Sequence, residues 1–185
     1  MQNTLSIGKK GILAKAITAC IAIAAAVLLP QIFHGIGVLS GTGAAVGSTL
    51  LPMHIPVLLA GFLGGPLAGI AAGVFSPMIS SAISGMPAAA LLPFMILELG
   101  TYGLVSGMLS KSRMNGFLAL ILTQIAGRMV RAAAVLGAVY LLGNEQLTGA
   151  SAYAFITAGL FGILLQWAVI PMLRTRLEGL KKFYD

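Results

Sequence analysis

Three ionisable side chains, Glu98, Arg128 and Arg131, stand inside apolar runs long enough to cross a bilayer. A charge near the bilayer centre costs about 2.5–3.5 kcal/mol on insertion scales, so it is kept where it meets a partner, a ligand or a water-filled cavity. At a rise of about 1.5 Å per residue, Glu98 lies about 15 Å below the outer start of its run. Arg128 lies about 16 Å above the inner start of the next run. The two depths coincide near the midplane, which predicts a Glu98–Arg128 ion pair. Arg131 is one turn further out on the same helix face as Arg128, since positions i and i+3 are neighbours. One carboxylate cannot neutralise two guanidiniums. Arg131 is thereby left to grip an anionic or acceptor-rich ligand group, because guanidinium binds carboxylate and phosphate through two parallel hydrogen bonds. The competing reading has it snorkel to outer headgroups.

Other polar groups fall around this cluster. Tyr102 is one helical turn beyond Glu98 and is placed to hold its carboxylate. His34 sits in a long Gly/Ser/Thr-rich segment, residues 31–51, where it contacts ligand as part of a lid. His54 lies between Pro52 and Pro56 and reads as a packing or hinge group. Two isolated histidines make a weak metal signal, and the reading calls for no metal and no cofactor. Asn144 and Tyr153 flank the last outer loop and line the mouth of a site. Trp167, low on the final run, reads as an interface anchor. Gly8-Lys9-Lys10 lacks the preceding glycine and the Ser/Thr of a phosphate-binding loop, and there is no His-Glu-x-x-His metal helix. A Gly-x-Ser-x-Gly elbow is also missing. No catalytic constellation supports an enzyme.

The elements that must position these residues are membrane spans. The chain has 185 residues, 58% hydrophobic and 8% charged, against about 25% charged in soluble domains. Mean hydropathy is +1.01. Breaks at Pro30, Gly64-Gly65-Pro66, Ser84-Gly85-Met86-Pro87 and two polar loops predict an all-α bundle of six transmembrane helices, a single substrate-binding domain over 1–185. The expected helices cover about 11–29, 53–63, 67–83 (broken by Pro77), 88–109, 117–142 and 153–173. The net charge of +7 is not a nucleic-acid footprint. Its positive residues gather at Lys9–Lys15, Lys111–Arg113 and Arg174–Lys182, so both termini and the 4–5 loop are read as cytoplasmic. The single Cys20 excludes an intrachain disulfide. The apolar run continues past it from Ile21 to Leu29, so residues 11–30 read as a retained helix rather than a cleaved signal.

Small residues recur every four positions: Gly61, Gly65, Gly69 and Gly73 in the second and third runs, and in the first run Thr18, Ala22 and Ala26, or Ala16, Cys20 and Ala24. Such spacing lets helix backbones approach closely in lipid. Both packing within the bundle and docking on a second membrane protein fit it.

The stretch Met53-His54-Ile55-Pro56-Val57-Leu58-Leu59-Ala60-Gly61-Phe62-Leu63-Gly64-Gly65-Pro66 resembles the substrate-binding S components of energy-coupling factor (ECF) vitamin transporters. Ser84-Gly85-Met86-Pro87, the run from Glu98 to Gly107 and Ala126-Gly127-Arg128 continue the resemblance, which covers about residues 11–173. It implies a six-helix bundle in the plasma membrane of a prokaryote. Such a bundle captures a vitamin-like solute from outside and topples when docked on a transmembrane coupling subunit driven by two ATPase subunits. It also implies substrate contacts from the 1–2 loop, the 3–4 loop with Met86, and helices 4 to 6. The small residues of helix 1 would meet the coupling subunit, although Lys15 departs from a purely small face. Few aromatics near the site argue against folate or riboflavin. Arg131 suits the carboxylate of pantothenate, and Glu98 the pyridine nitrogen or hydroxyl of a B6 vitamer. A second class stays open: a stand-alone ion-coupled carrier or channel with Glu98 as its proton site. A third, a structural membrane adaptor, predicts no small-molecule binding.

Overall fold

The computed structural model describes residues 9–41, 45–143, 159–177 and 179. The described residues form helices and no strand: α1 Lys9–Leu39, α2 Ala45–Leu50, α3 His54–Ser84, α4 Leu92–Leu109, α5 Gly116–Tyr140 and α6 Leu160–Leu177. Five of these are long and apolar enough to cross a membrane. Lipid offers no hydrogen bonds, so each apolar run must satisfy its backbone internally, and a helix does this.

That pressure explains two departures from expectation. Pro30 was expected to end the first helix, yet α1 runs through it for 31 residues. A proline removes one backbone donor and kinks a helix, but unwinding residues 31–39 would leave many more groups unsatisfied. His34 is therefore on a helix and not in a loop. Pro77 likewise sits inside α3 without breaking it. The expected long outer loop shrinks further because α2 fills part of it.

The third helix folds back on itself. Gly65 has φ 82 and ψ −175, the one non-helical residue within α3. A Cβ built on Gly61 or on Gly69 would fall against the same atom, the Gly103 carbonyl oxygen. Residues eight apart on a straight helix would be about 12 Å apart, so the arms 54–64 and 66–84 run antiparallel. Pro66 opens the second arm, where its missing N–H costs nothing. Gly65→Ala is expected to destabilise by about 1–3 kcal/mol, because this backbone region is essentially reserved for glycine. Thermal melts in detergent would show it. The second arm ends at Gly85, whose φ of 69 lets its N–H cap Ser81 O at 2.8 Å.

Both arms lie on α4 along a seam of bare backbone. Gly69 meets Gly103, Gly73 meets Leu99 and Gly100, and Gly107 meets Gly65 and Pro66. A side chain at Gly69, Gly73, Gly103 or Gly107 would push the helices apart, which is the close approach that small residues permit in lipid. α4 starts at Leu92 with Pro93 in its first turn, four residues later than expected. Asn115 caps α5 by accepting from the Phe117 N–H at 2.8 Å.

α1 packs on α3 through Ala19, Ala22 and Ala26, all buried, and Thr18 lies against Gly64. The Thr18, Ala22, Ala26 stripe is thus internal packing, which corrects its reading as a docking face. Ala16, Cys20 and Ala24 point outward and are exposed, among Ile17, Ile21 and Leu28. The basic residues share one end of the bundle. Arg174 Cζ sits 4.9 Å from the Phe62 ring centroid and its guanidinium abuts Gly116, close to the 64–66 turn and the exposed Lys111 and Arg113.

Candidate functional site

Three helices converge on Glu98. It is 1% exposed, and α4 also supplies Tyr102, whose hydroxyl donates to Glu98 Oε1 at 3.3 Å. α5 brings Arg131, and its Nη1 donates to Glu98 Oε2 at 2.5 Å. The approach of α5 depends on Gly127, where a Cβ would overlap the Tyr102 ring. His54, at the start of α3, places Nε2 3.9 Å from Glu98 Oε2 and sets its ring edge-on to Tyr102 at 5.4 Å.

The ion pair therefore joins Glu98 to Arg131, where Arg128 had been expected. The reason is the late start of α4: Glu98 is about 9 Å below the outer end of its helix, level with Arg131 rather than with Arg128 one turn deeper. Arg128 still bears electrostatically on Glu98 and Tyr102. Its Nη2 would be 2.7 Å from a Cβ on Gly159.

Beside this cluster, at the end of the bundle opposite the basic residues, lies a cavity of about 360 Å³. Its walls include Pro30 and His34 of α1, Leu51, Met53 and His54 at the start of α3, and Met86 and Pro87 beyond its end. Gly47 allows α2 to lie on the His34 ring, 2.8 Å from Cε1 to a Cβ built there. Two serines of α3 fix the segment over the cavity: Ser80 donates to Met86 O at 2.8 Å and Ser81 to Pro87 O at 2.9 Å. Leu51 has a φ of 49, unusual for a side chain of its size.

Two of the expected site residues, His34 and Met86, thus meet at the cavity, while Glu98, Tyr102 and Arg131 form the cluster behind it with Arg128 alongside. Asn144 and Tyr153 lie outside the described residues. The link between cavity and cluster is His54, expected as a packing or hinge group; only its neighbours in the fold bring it to the site. A second polar group was also missed. Gln124 Nε2 donates to Gln166 Oε1 at 2.8 Å, and Trp167 Nε1 donates to Gln124 Oε1 at 2.7 Å. Trp167 therefore ties α6 to α5. Glutamines inside apolar runs were the available signal, since such amides seek partners across helices.

Apolar helices of membrane-spanning length around a buried charged cluster and a solute-sized cavity define a multi-pass membrane protein. Residues 12–174 match the family of the ECF transporter, substrate-specific component, and the chain belongs to that family. No curated protein and no solved structure matches it.

Proposed function

We propose that the protein is the high-affinity binding subunit of an ECF-type importer for a small water-soluble vitamin or related metabolite, with pantothenate and B6 vitamers the favoured candidates. It acts by binding and delivery, with no chemical step. The observation that carries this reading is the cavity of about 360 Å³, within the range of about 300–1,000 Å³ typical of small-molecule sites. Family membership supports the supporting cast: a transmembrane coupling subunit and two ATPases in trans, on which the loaded bundle topples. With the α3 arms counted separately, the described residues hold six long helical segments, which supports a six-helix bundle. The charge distribution supports a bundle in a prokaryotic plasma membrane with both termini cytoplasmic and the cavity on the outer side. His34, Met86 and His54 line the site, with Glu98, Tyr102, Arg128 and Arg131 behind it, and Asn144 and Tyr153 stay candidate ligand contacts.

Purified protein in liposomes, probed with pantothenate and pyridoxine, tests the assignment. The expected result is binding without uptake until the coupling and ATPase subunits and ATP are added. Uptake driven by an ion gradient alone would sink the assignment in favour of a self-sufficient carrier. Ala88→Trp, at an exposed position on the cavity wall, should weaken binding at least about ten-fold without lowering the melting temperature.

Docking is assigned to the outward stripe of α1. Ala24→Trp is expected to leave ligand binding intact and abolish ATP-dependent uptake. Ala22→Leu, on the buried stripe, is expected to cost about 1–3 kcal/mol by overpacking. Binding, uptake and melting curves for the two variants separate the faces. An Ala24→Trp protein that transports normally would move the docking surface elsewhere.

A further inference from the structure

We infer that the ligand of this cavity is uncharged and is read by His54, which accepts a hydrogen bond from a ligand hydroxyl or N–H. The inference rests on the cavity being the substrate site, as proposed above, and narrows that reading: it keeps the B6 vitamers, excludes the pantothenate anion and adds a specificity-determining residue.

No Lys or Arg is among the described residues that line the cavity. Its described lining is apolar except for His34, His54 and Ser80, and the Ser80 hydroxyl is engaged with Met86 O. Arg131 reaches past the cavity wall to Glu98. Arg128 lines a separate cavity of about 260 Å³ between α5 and α6, with Gln124 and Trp167. Its guanidinium and the Leu51 side chain both stand against Gly159, and Leu51 is the one of the two that lines the first cavity. An anion entering here would shed its water against thioethers, prolines and leucines with no guanidinium in place to replace it, and burying an unpaired charge is costly.

His54 supplies the missing polar contact. It is 1% exposed, lines the cavity, and neither ring nitrogen has a hydrogen-bond partner among the described residues. Nε2 is 3.9 Å from Glu98 Oε2, too far for a hydrogen bond. A neutral imidazole offers one of its ring nitrogens as an acceptor. A buried acceptor left unmatched is destabilising, and a donor on the ligand satisfies it. The edge-on contact with Tyr102 holds the ring in place for this.

Three pairs of probes differ in charge and little else: panthenol and pantothenate, pyridoxine and 4-pyridoxate, nicotinamide and nicotinate. Calorimetry on the purified full-length chain at pH 7.5 should show, in at least one pair, the uncharged member binding at least about ten-fold more tightly. His54→Phe, which keeps a ring against Tyr102, should remove most of that affinity. His54→Asn, which keeps an acceptor near the Nδ1 position, should retain more of it. Methylating the recognised hydroxyl or N–H of the probe should weaken wild-type binding and leave His54→Phe indifferent. Melting curves of both variants establish that they fold. Preference for the anionic members, lost in Arg131→Gln, would overturn the inference while leaving the cavity as the substrate site. A probe that binds equally to wild type and to Ala88→Trp would show that the cavity is not that site. Binding of none of the six would count against both readings.

Discussion

Glu98→Gln is expected to lower stability by about 3–5 kcal/mol, the usual cost of leaving a buried charge without its partner. The carboxylate is the acceptor for both Arg131 and Tyr102 and lies beside His54. Without it, Arg131 and the Tyr102 hydroxyl lose this acceptor. Arg131→Gln should cost less, because Glu98 then keeps the Tyr102 hydroxyl and the nearby charge of Arg128. The double variant should be more stable than the sum of the single losses predicts, since contacting pairs couple. Denaturant or thermal unfolding in detergent gives the cycle. Strict additivity would mean that the short Arg131–Glu98 contact carries no coupling energy.

The second large effect belongs to the seam between α3 and α4. Gly103→Ala would set a methyl group on the backbone of Gly69, and Gly69→Ala would set one on the backbone of Gly103. Overpacking a core ordinarily costs about 1–3 kcal/mol, relieved by shifting side chains. Here no side chain is available to shift, so two helices must separate along their length. Loss of monodisperse, ligand-binding protein on size-exclusion chromatography is the expected outcome for either variant. Gly100→Ala is the control, since its Cβ would meet only Val74 Cγ2 at an ordinary 3.6 Å. It should be neutral or stabilising, because alanine is favoured over glycine in a helix by about 1 kcal/mol. A Gly103→Ala protein that melts like wild type would show that the seam has slack.

The punctuation of the fold was legible where glycine and proline act together. Gly64-Gly65-Pro66 reverses the chain and Gly85 ends α3, both as the residue types require. Proline alone misled, because the rule that it stops helices comes from water, where freed backbone groups find other partners. At Pro30 they would not. The break at Ser84-Gly85-Met86-Pro87 puts the expected start of α4 at Ala88, and the shift of four residues to Leu92 moves Glu98 a full turn and pairs it with Arg131. Which stripe of α1 faces inward could not be read at all. In a soluble helix polarity marks the outer face, but here Thr18, Ala22 and Ala26 face α3 while Ala16, Cys20 and Ala24 are exposed, with nearly the same composition. His54 was hidden for another reason: its importance comes from Glu98, Tyr102 and the cavity, all distant in sequence.

The passage of α1 through Pro30 puts Cys20 and His34 on one rod, about 21 Å apart along its axis. One is on the face assigned to docking, the other on the wall of the cavity. A push or tilt applied at the first is delivered to the second without any intervening joint except the proline. Thermodynamic linkage makes the traffic two-way: if a docked partner changes the hold on the solute by some factor, the solute changes the partner's hold by the same factor. The chain's sole cysteine is exposed on that rod. It offers a native attachment point for a fluorophore through which both directions of that exchange can be followed.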